Sequence, residues 1–202
     1  MDDWLSELAS GSATPGGGGA SALTAAASAA LVSMVCNLSI GRPRYAEHEQ
    51  LLTGVLGQAT QRRQESLALA EADAAAFQTV LAAYKLPRDT GDEQRERARQ
   101  IQSALAGAAA VPLRVAAIAA DVIRLAGAII GRSNSSVLSD IGVAAVLARA
   151  ALDSAVINVE VNLASLDEGE TRSRLAAELA GHATAAASAE AVIRETRSRI
   201  SA

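Results

Sequence analysis

A single lysine, Lys85, stands among seventeen arginines in a chain of 202 residues. On most surfaces the two cations are interchangeable, so a chain that keeps one ammonium has a chemical use for it. A lysine side chain shifts its pKa when buried and exchanges a proton, whereas a guanidinium stays charged. The plain alternative is compositional bias, with Lys85 placed at a helix terminus in Tyr84-Lys85-Leu86-Pro87, where a cation suits the macrodipole. Upstream lie Asp73, Phe77 and Tyr84. At about 100° per residue, Phe77 and Tyr84 fall about 40° and about 20° from Asp73, so all three share one helix face. That face is otherwise apolar (Ala76, Val80, Leu81), which makes an unpaired carboxylate costly there. Two readings stay open for Asp73: an ion pair with an arginine of a neighbouring helix, or a functional carboxylate with a raised pKa.

Asn134, Ser139 and Asp140 gather at a second helix entrance, with Asn158 and Asn162 farther along the same helix. Capping accounts for Ser139 and Asp140 equally well. Asn158 and Asn162 lie four apart on an apolar run and need hydrogen-bond partners, either across helices or in a ligand. Asp140 and Asn158 align on one face but stand about 27 Å apart at the helical rise. They therefore share a ligand only if it is long or if a second subunit brings them together. Thr14-Pro15-Gly16-Gly17-Gly18-Gly19 reads as a loop leading into a helix, where the glycines Gly16, Gly17 and Gly18 either cradle a carboxylate or phosphate with their amides or simply let helices approach closely. It lacks the Gly-Lys-Ser/Thr ending of a P-loop. Cys36 reads as a packing thiol, and His48 and His182 as surface residues. One cysteine and two distant histidines argue against a metal centre.

The elements that hold these residues are helices. Half of the residues are hydrophobic, 2% are aromatic, and alanine dominates, which excludes a strand-rich fold and favours helix. The length suits one domain spanning 1–202. Punctuation gives about six helical segments: a short turn over 2–9, a buried helix over 20–40, and long helices over 46–84 and 92–130. A helix capped by Ser136 or Ser139 and running to about Leu166, and a C-terminal one, complete the set, with Pro112 kinking or splitting the fourth segment. The expectation is an all-α multihelical bundle. The net charge of −4 offers no footprint for nucleic acid or anionic lipid. No charged residue occurs between Glu7 and Arg42, yet that stretch is Gly-, Ala- and Ser-rich, so it reads as a core helix rather than a membrane span. The acidic N-terminus does not read as a secretory signal, and a cytoplasmic location is expected.

The order of these pieces resembles the cyclodeaminase/cyclohydrolase family, the C-terminal domain of formiminotransferase-cyclodeaminase and the stand-alone methenyltetrahydrofolate cyclohydrolases. The resemblance rests on Thr14-Pro15-Gly16-Gly17-Gly18, Leu31-Val32-Ser33-Met34-Val35, Asn37-Leu38, Asp73 with Ala76-Phe77, and Ala83-Tyr84-Lys85-Leu86-Pro87. Val111-Pro112-Leu113, Asn134, Ser139-Asp140-Ile141-Gly142-Val143-Ala144-Ala145, Asn158-Val159 and Asn162-Leu163 continue it. It departs at Gly19, where the family carries serine, and at Gly41-Arg42-Pro43-Arg44-Tyr45, where the family is lysine-rich. The resemblance implies a helical, usually dimeric enzyme acting on one-carbon tetrahydrofolates, a homodimer through helices with no cofactor beyond the folate substrate. Both family reactions occur at the carbon bridging N5 and N10 and need a proton donor and acceptor near it. The candidates are Lys85 with Asp73 or Asp140. The glycines and Asn134 would hold polar parts of the ligand, and Phe77 or Tyr84 would flank the pterin. The rival reading is a helical scaffold or folate-binding relative without turnover.

Overall fold

The structure, a computed structural model, describes residues 2–202. Among these there is no strand; the chain forms α1 (Asp2–Leu8), α2 (Gly17–Asn37), α3 (Glu49–Tyr84), α4 (Gly91–Ile129), α5 (Leu138–Ala164), α6 (Glu170–Ala180) and α7 (Ala185–Ser201). Short 3₁₀ turns at Pro43–His48 and Ser135–Val137 lead into α3 and α5. The bundle of helical segments is as the periodicity predicts, with the last segment broken at residues 181–184.

Helix α2 is the central element and packs on α3, α5 and α4. Small residues all round let its neighbours come close: Ala22, Ala25, Ala29, Val32 and Val35 are fully buried. Its buried serines are satisfied rather than stranded, Ser21 donating to the Gly18 carbonyl and Ser28 to the Ala144 carbonyl of α5, each at 2.8 Å. Helices α2 and α4 are both long and apolar enough to cross a membrane by length and composition. In the bundle α2 is enclosed by its neighbours, as a core helix is.

Local sequence explains where the other helices start. Thr90 and Glu93 form a reciprocal capping box at the head of α4. Pro112 lies buried inside α4, which continues through it as one helix rather than splitting. The proline has no N–H for the carbonyl of Ala108 four residues earlier. Two expectations at helix starts need correction. The glycine segment is not all loop, because Gly17, Gly18 and Gly19 form the first turn of α2 with Gly16 as its N-cap. Neither Ser136 nor Ser139 caps α5; Val137 precedes it without a side-chain cap, and Asn134 accepts the Ser136 amide at the preceding turn.

The apolar interior divides into two groups. The larger joins α2, the first half of α3, the second half of α4, α5 and α7 around Leu52, Ile118, Ile123 and Ile141. The smaller joins the end of α3, the first half of α4 and the end of α5 to α6, through Val80, Ile101, Leu105, Leu113, Leu166 and Leu175.

Candidate active site

Beside the smaller group, at Val80, Leu105 and Ala108, lies an open cavity of about 420 Å³. Gly16, Gly17 and Gly18 form its floor at the head of α2. One wall is α3, through Asp73, Ala76, Phe77, Val80 and Tyr84; α5 supplies Asn158, Val161, Asn162 and Ser165, and α4 supplies Leu105 and Ala108. The face shared by Asp73, Phe77 and Tyr84 is thus the face that lines the cavity. Phe77 and Tyr84 keep 40% and 48% of their surface exposed, available to cover a flat ring.

Asp73 is the carboxylate lining this space. Its Oδ2 accepts the backbone N–H of Gly19 at 3.1 Å, and among the described residues it makes no ion pair. The arginine partner that one reading of the sequence required is therefore not what holds it. Burial raises its pKa above the ordinary carboxylate value, and the Gly19 amide pulls in the opposite direction. The carboxylate sits directly over Gly18, where a Cβ would overlap it. At Gly19 a Cβ would lie 3.6 Å from the Ala70 carbonyl oxygen and from the Trp4 ring, in ordinary contact. The backbone space at Gly19 thus accommodates a Cβ.

Asn158 and Asn162 donate from Nδ2 to the carbonyls of Ser154 and Asn158 one turn back, at 2.8 and 2.9 Å. Among the described residues neither makes the hydrogen bond across helices that one of the two readings of their apolar surroundings calls for. Their side-chain oxygens accept no hydrogen bond from the described residues and belong to the cavity wall.

The remaining candidates lie elsewhere. Lys85 is exposed as the C-cap of α3, next to Tyr84 but outside the cavity lining. Twelve residues separate it from Asp73, about 18 Å along the axis, so within one chain the two do not meet at one carbon. Asn134 is 6% exposed and fully occupied. Its Nδ2 donates to the Leu38 carbonyl, its Oδ1 accepts the Ser136 amide, and its own N–H bonds Ser39 Oγ. That network ties the end of α2 to the turn before α5, away from the cavity. Ser139 borders a separate apolar groove between α5 and α7, and Asp140 lies beside it in the first turn of α5. Cys36 is fully buried, and burial pushes its thiol up to about 11, consistent with a packing role. Among the described residues no three His, Cys, Asp or Glu side chains gather as metal ligands.

Sequence reasoning did not single out Thr14, Leu105, Ala108, Val161 or Ser165 as lining residues. Val161 and Ser165 follow Asn158 at helical spacing, a signal that was present. The approach of α4 depends on tertiary packing and leaves no local mark.

A profile of the formiminotransferase-cyclodeaminase family matches residues 1–181. The chain belongs to the formiminotransferase-cyclodeaminase family. Within it, the chain is 43% identical over 168 residues to a methenyltetrahydrofolate cyclohydrolase of Methylorubrum extorquens, covering 83% of this chain and 81% of that protein. It is 33% identical over 165 residues to the mouse formimidoyltransferase-cyclodeaminase, covering 82% of this chain and 30% of that longer protein. A crystal structure of the formiminotetrahydrofolate cyclodeaminase of Thermotoga maritima superposes with a TM-score of 0.84 at 25% identity, over 98% of this chain and 93% of that one.

Proposed function

We propose that this family member is a methenyltetrahydrofolate cyclohydrolase, converting 5,10-methenyltetrahydrofolate to 10-formyltetrahydrofolate in the cavity around Asp73. The observation that carries the reading is the 43% identity to a cyclohydrolase over 81% of that protein's length, joined to an unpaired, half-buried carboxylate in a ligand-sized cavity. Water attacks the bridging carbon, the bond from that carbon to N5 breaks, and the formyl group stays on N10. The overall change releases one proton. Ionised Asp73 stabilises the cationic amidinium, accepts a proton from the attacking water and returns it to the departing N5. The Gly19 amide holds the carboxylate in place during that exchange.

A second reading is favoured by the likeness to the Thermotoga cyclodeaminase: N10 attacks the carbon of a 5-formimino group and ammonia leaves after protonation. Both reactions place the same carbon beside Asp73. Following methenyltetrahydrofolate absorbance alongside ammonia release from formiminotetrahydrofolate separates them. Loss of methenyl absorbance faster than the uncatalysed rate supports the hydrolase. Activity in neither assay removes both readings and leaves a scaffold.

The reading includes a homodimer in the cytoplasm. Val143, Val146, Ile157 and Val161 form an exposed stripe along α5, 46–64% accessible, centred near residue 152. Antiparallel pairing of two α5 helices about that centre sets Val143 opposite Val161 and Val146 beside Ile157 and covers the stripe on both copies. Because Val161 also lines the cavity, such a contact borders the site.

A further inference from the structure

Just beyond Tyr84, outside the cavity lining, stands a cation to which nothing above gives a role. Arg97, in the second turn of α4, lies over the Tyr84 ring at 5.7 Å from its centre. Its Nη2 donates to the Tyr84 carbonyl at 3.0 Å, while its Nε is buried and has no partner among the described residues. Arg97 makes no ion pair there, and neither does its neighbour across the turn, Lys85; the adjacent Glu96 is bound to Arg99 and Gln100.

Helices α3 and α4 run antiparallel and frame the cavity with two equal spans. Asp73 to Tyr84 and Ala108 to Arg97 are each eleven residues, about 16 Å of axis with a net turn of about 20°, so both ends of each span present one face. Asp73 and Ala108 meet at the glycine end; Tyr84 and Arg97 meet at the other. The slot therefore has an electrical direction, a carboxylate within it at one end and, just past Tyr84 at the other, a partly satisfied guanidinium. Its reactive-site reading calls for a ligand of matching polarity. A methenyl folate carries its positive charge on the bridging amidinium and its negative charge on the glutamate tail.

We infer that Arg97 is a specificity-determining residue that binds the glutamate carboxylate of the folate, orienting the bridging carbon toward Asp73. This rests on the folate reading above. A carboxylate docking on the outer edge of the guanidinium gains a charge-assisted, forked hydrogen bond, and a modest shift of the side chain brings the idle Nε–H into it. Lys85 adds a second positive charge at the rim without the fork. The neighbouring α3–α4 groove is larger, about 530 Å³, but its acidic member Glu96 disfavours an anion.

The test compares wild type with Arg97→Met and Arg97→Lys on two substrates, 5,10-methenyltetrahydrofolate and 5,10-methenyltetrahydropteroate, which lacks the glutamate. Arg97→Met is expected to raise KM roughly tenfold for the folate, leave kcat near wild type, and leave the pteroate kinetics unchanged. Arg97→Lys should recover part of the loss. Equal losses on both substrates, or no loss on either, would overturn the assignment and mark Arg97 as a support for the end of α3. Circular dichroism of each variant checks the fold, and the ratio between substrates stays informative even where stability falls. Wild-type protein inactive on both substrates would instead sink the folate reading, and this inference with it.

Discussion

Replacing Gly18 by alanine sets two opposed effects against each other. Within a helix the exchange favours folding by up to about 1 kcal/mol, because alanine loses less backbone freedom. Here the new methyl overlaps the Asp73 carboxylate, so Asp73 must turn away and give up the Gly19 N–H. A hydrogen bond to a charged group contributes about 1.5–3 kcal/mol, so Gly18→Ala should lose about 0.5–2 kcal/mol net. At this chain length each kcal/mol moves Tm by about 2–4 °C, giving a drop of roughly 1–8 °C. Activity should suffer far more, because misplacing a reacting group by about 1 Å costs on the order of 100-fold. Gly19→Ala is the control. Its Cβ meets only ordinary contacts, so Tm should rise by up to about 4 °C with turnover retained. Thermal unfolding by circular dichroism and the methenyltetrahydrofolate absorbance assay measure both. Full activity in Gly18→Ala, or equal damage in the two variants, would refute the placement of Asp73 over the glycine turn.

Three further outcomes follow from the same geometry. Because burial raises the Asp73 pKa in the folded chain, its contribution to stability is complete below the ordinary carboxylate value and is lost as pH rises through the raised one. Asp73→Asn should thus gain in Tm relative to wild type as pH is raised from about 4 to about 8, while kcat falls about 10²–10⁴-fold; a pH-independent Tm difference would contradict the shift. Val146→Asp places charge in the exposed α5 stripe outside the cavity, so sedimentation should show a monomer with reduced activity, and a fully active monomeric wild type would remove the dimer. Native Cys36 should resist alkylation at neutral pH and react once the chain is unfolded, and rapid native labelling would contradict its burial.

Helical periodicity made much of this legible. The common face of Asp73, Phe77 and Tyr84 follows from spacing alone, and so do the limits of α3 and α4 to within a few residues. What periodicity does not carry is the partner across the gap. Gly17–Gly19 read as loop because glycine disfavours helix; the segment is helical with the Gly19 amide meeting the Asp73 carboxylate and Gly18 filling a place closed to any side chain. Asn134 has the residue type of a ligand contact, but tertiary packing uses all of its side-chain polar atoms to join α2 to the turn before α5. Arg97 sits in Asp92–Arg99, a stretch whose charge density reads as wet surface. Only the antiparallel return of α4 along α3 brings it to Tyr84.

The division of the interior into two apolar groups has a mechanical consequence. The cavity opens beside the smaller group, where α3, α4 and α5 pass from one group to the other, and that passage is the joint across which local opening would occur. A substrate seated from the glycine turn to Tyr84 touches α2, α3, α4 and α5 together and acts as a splint across that joint. Amides at the end of α3 and the start of α4 would then exchange more slowly with ligand bound. Product departure would be timed by the joint loosening again, rather than by a hinged lid.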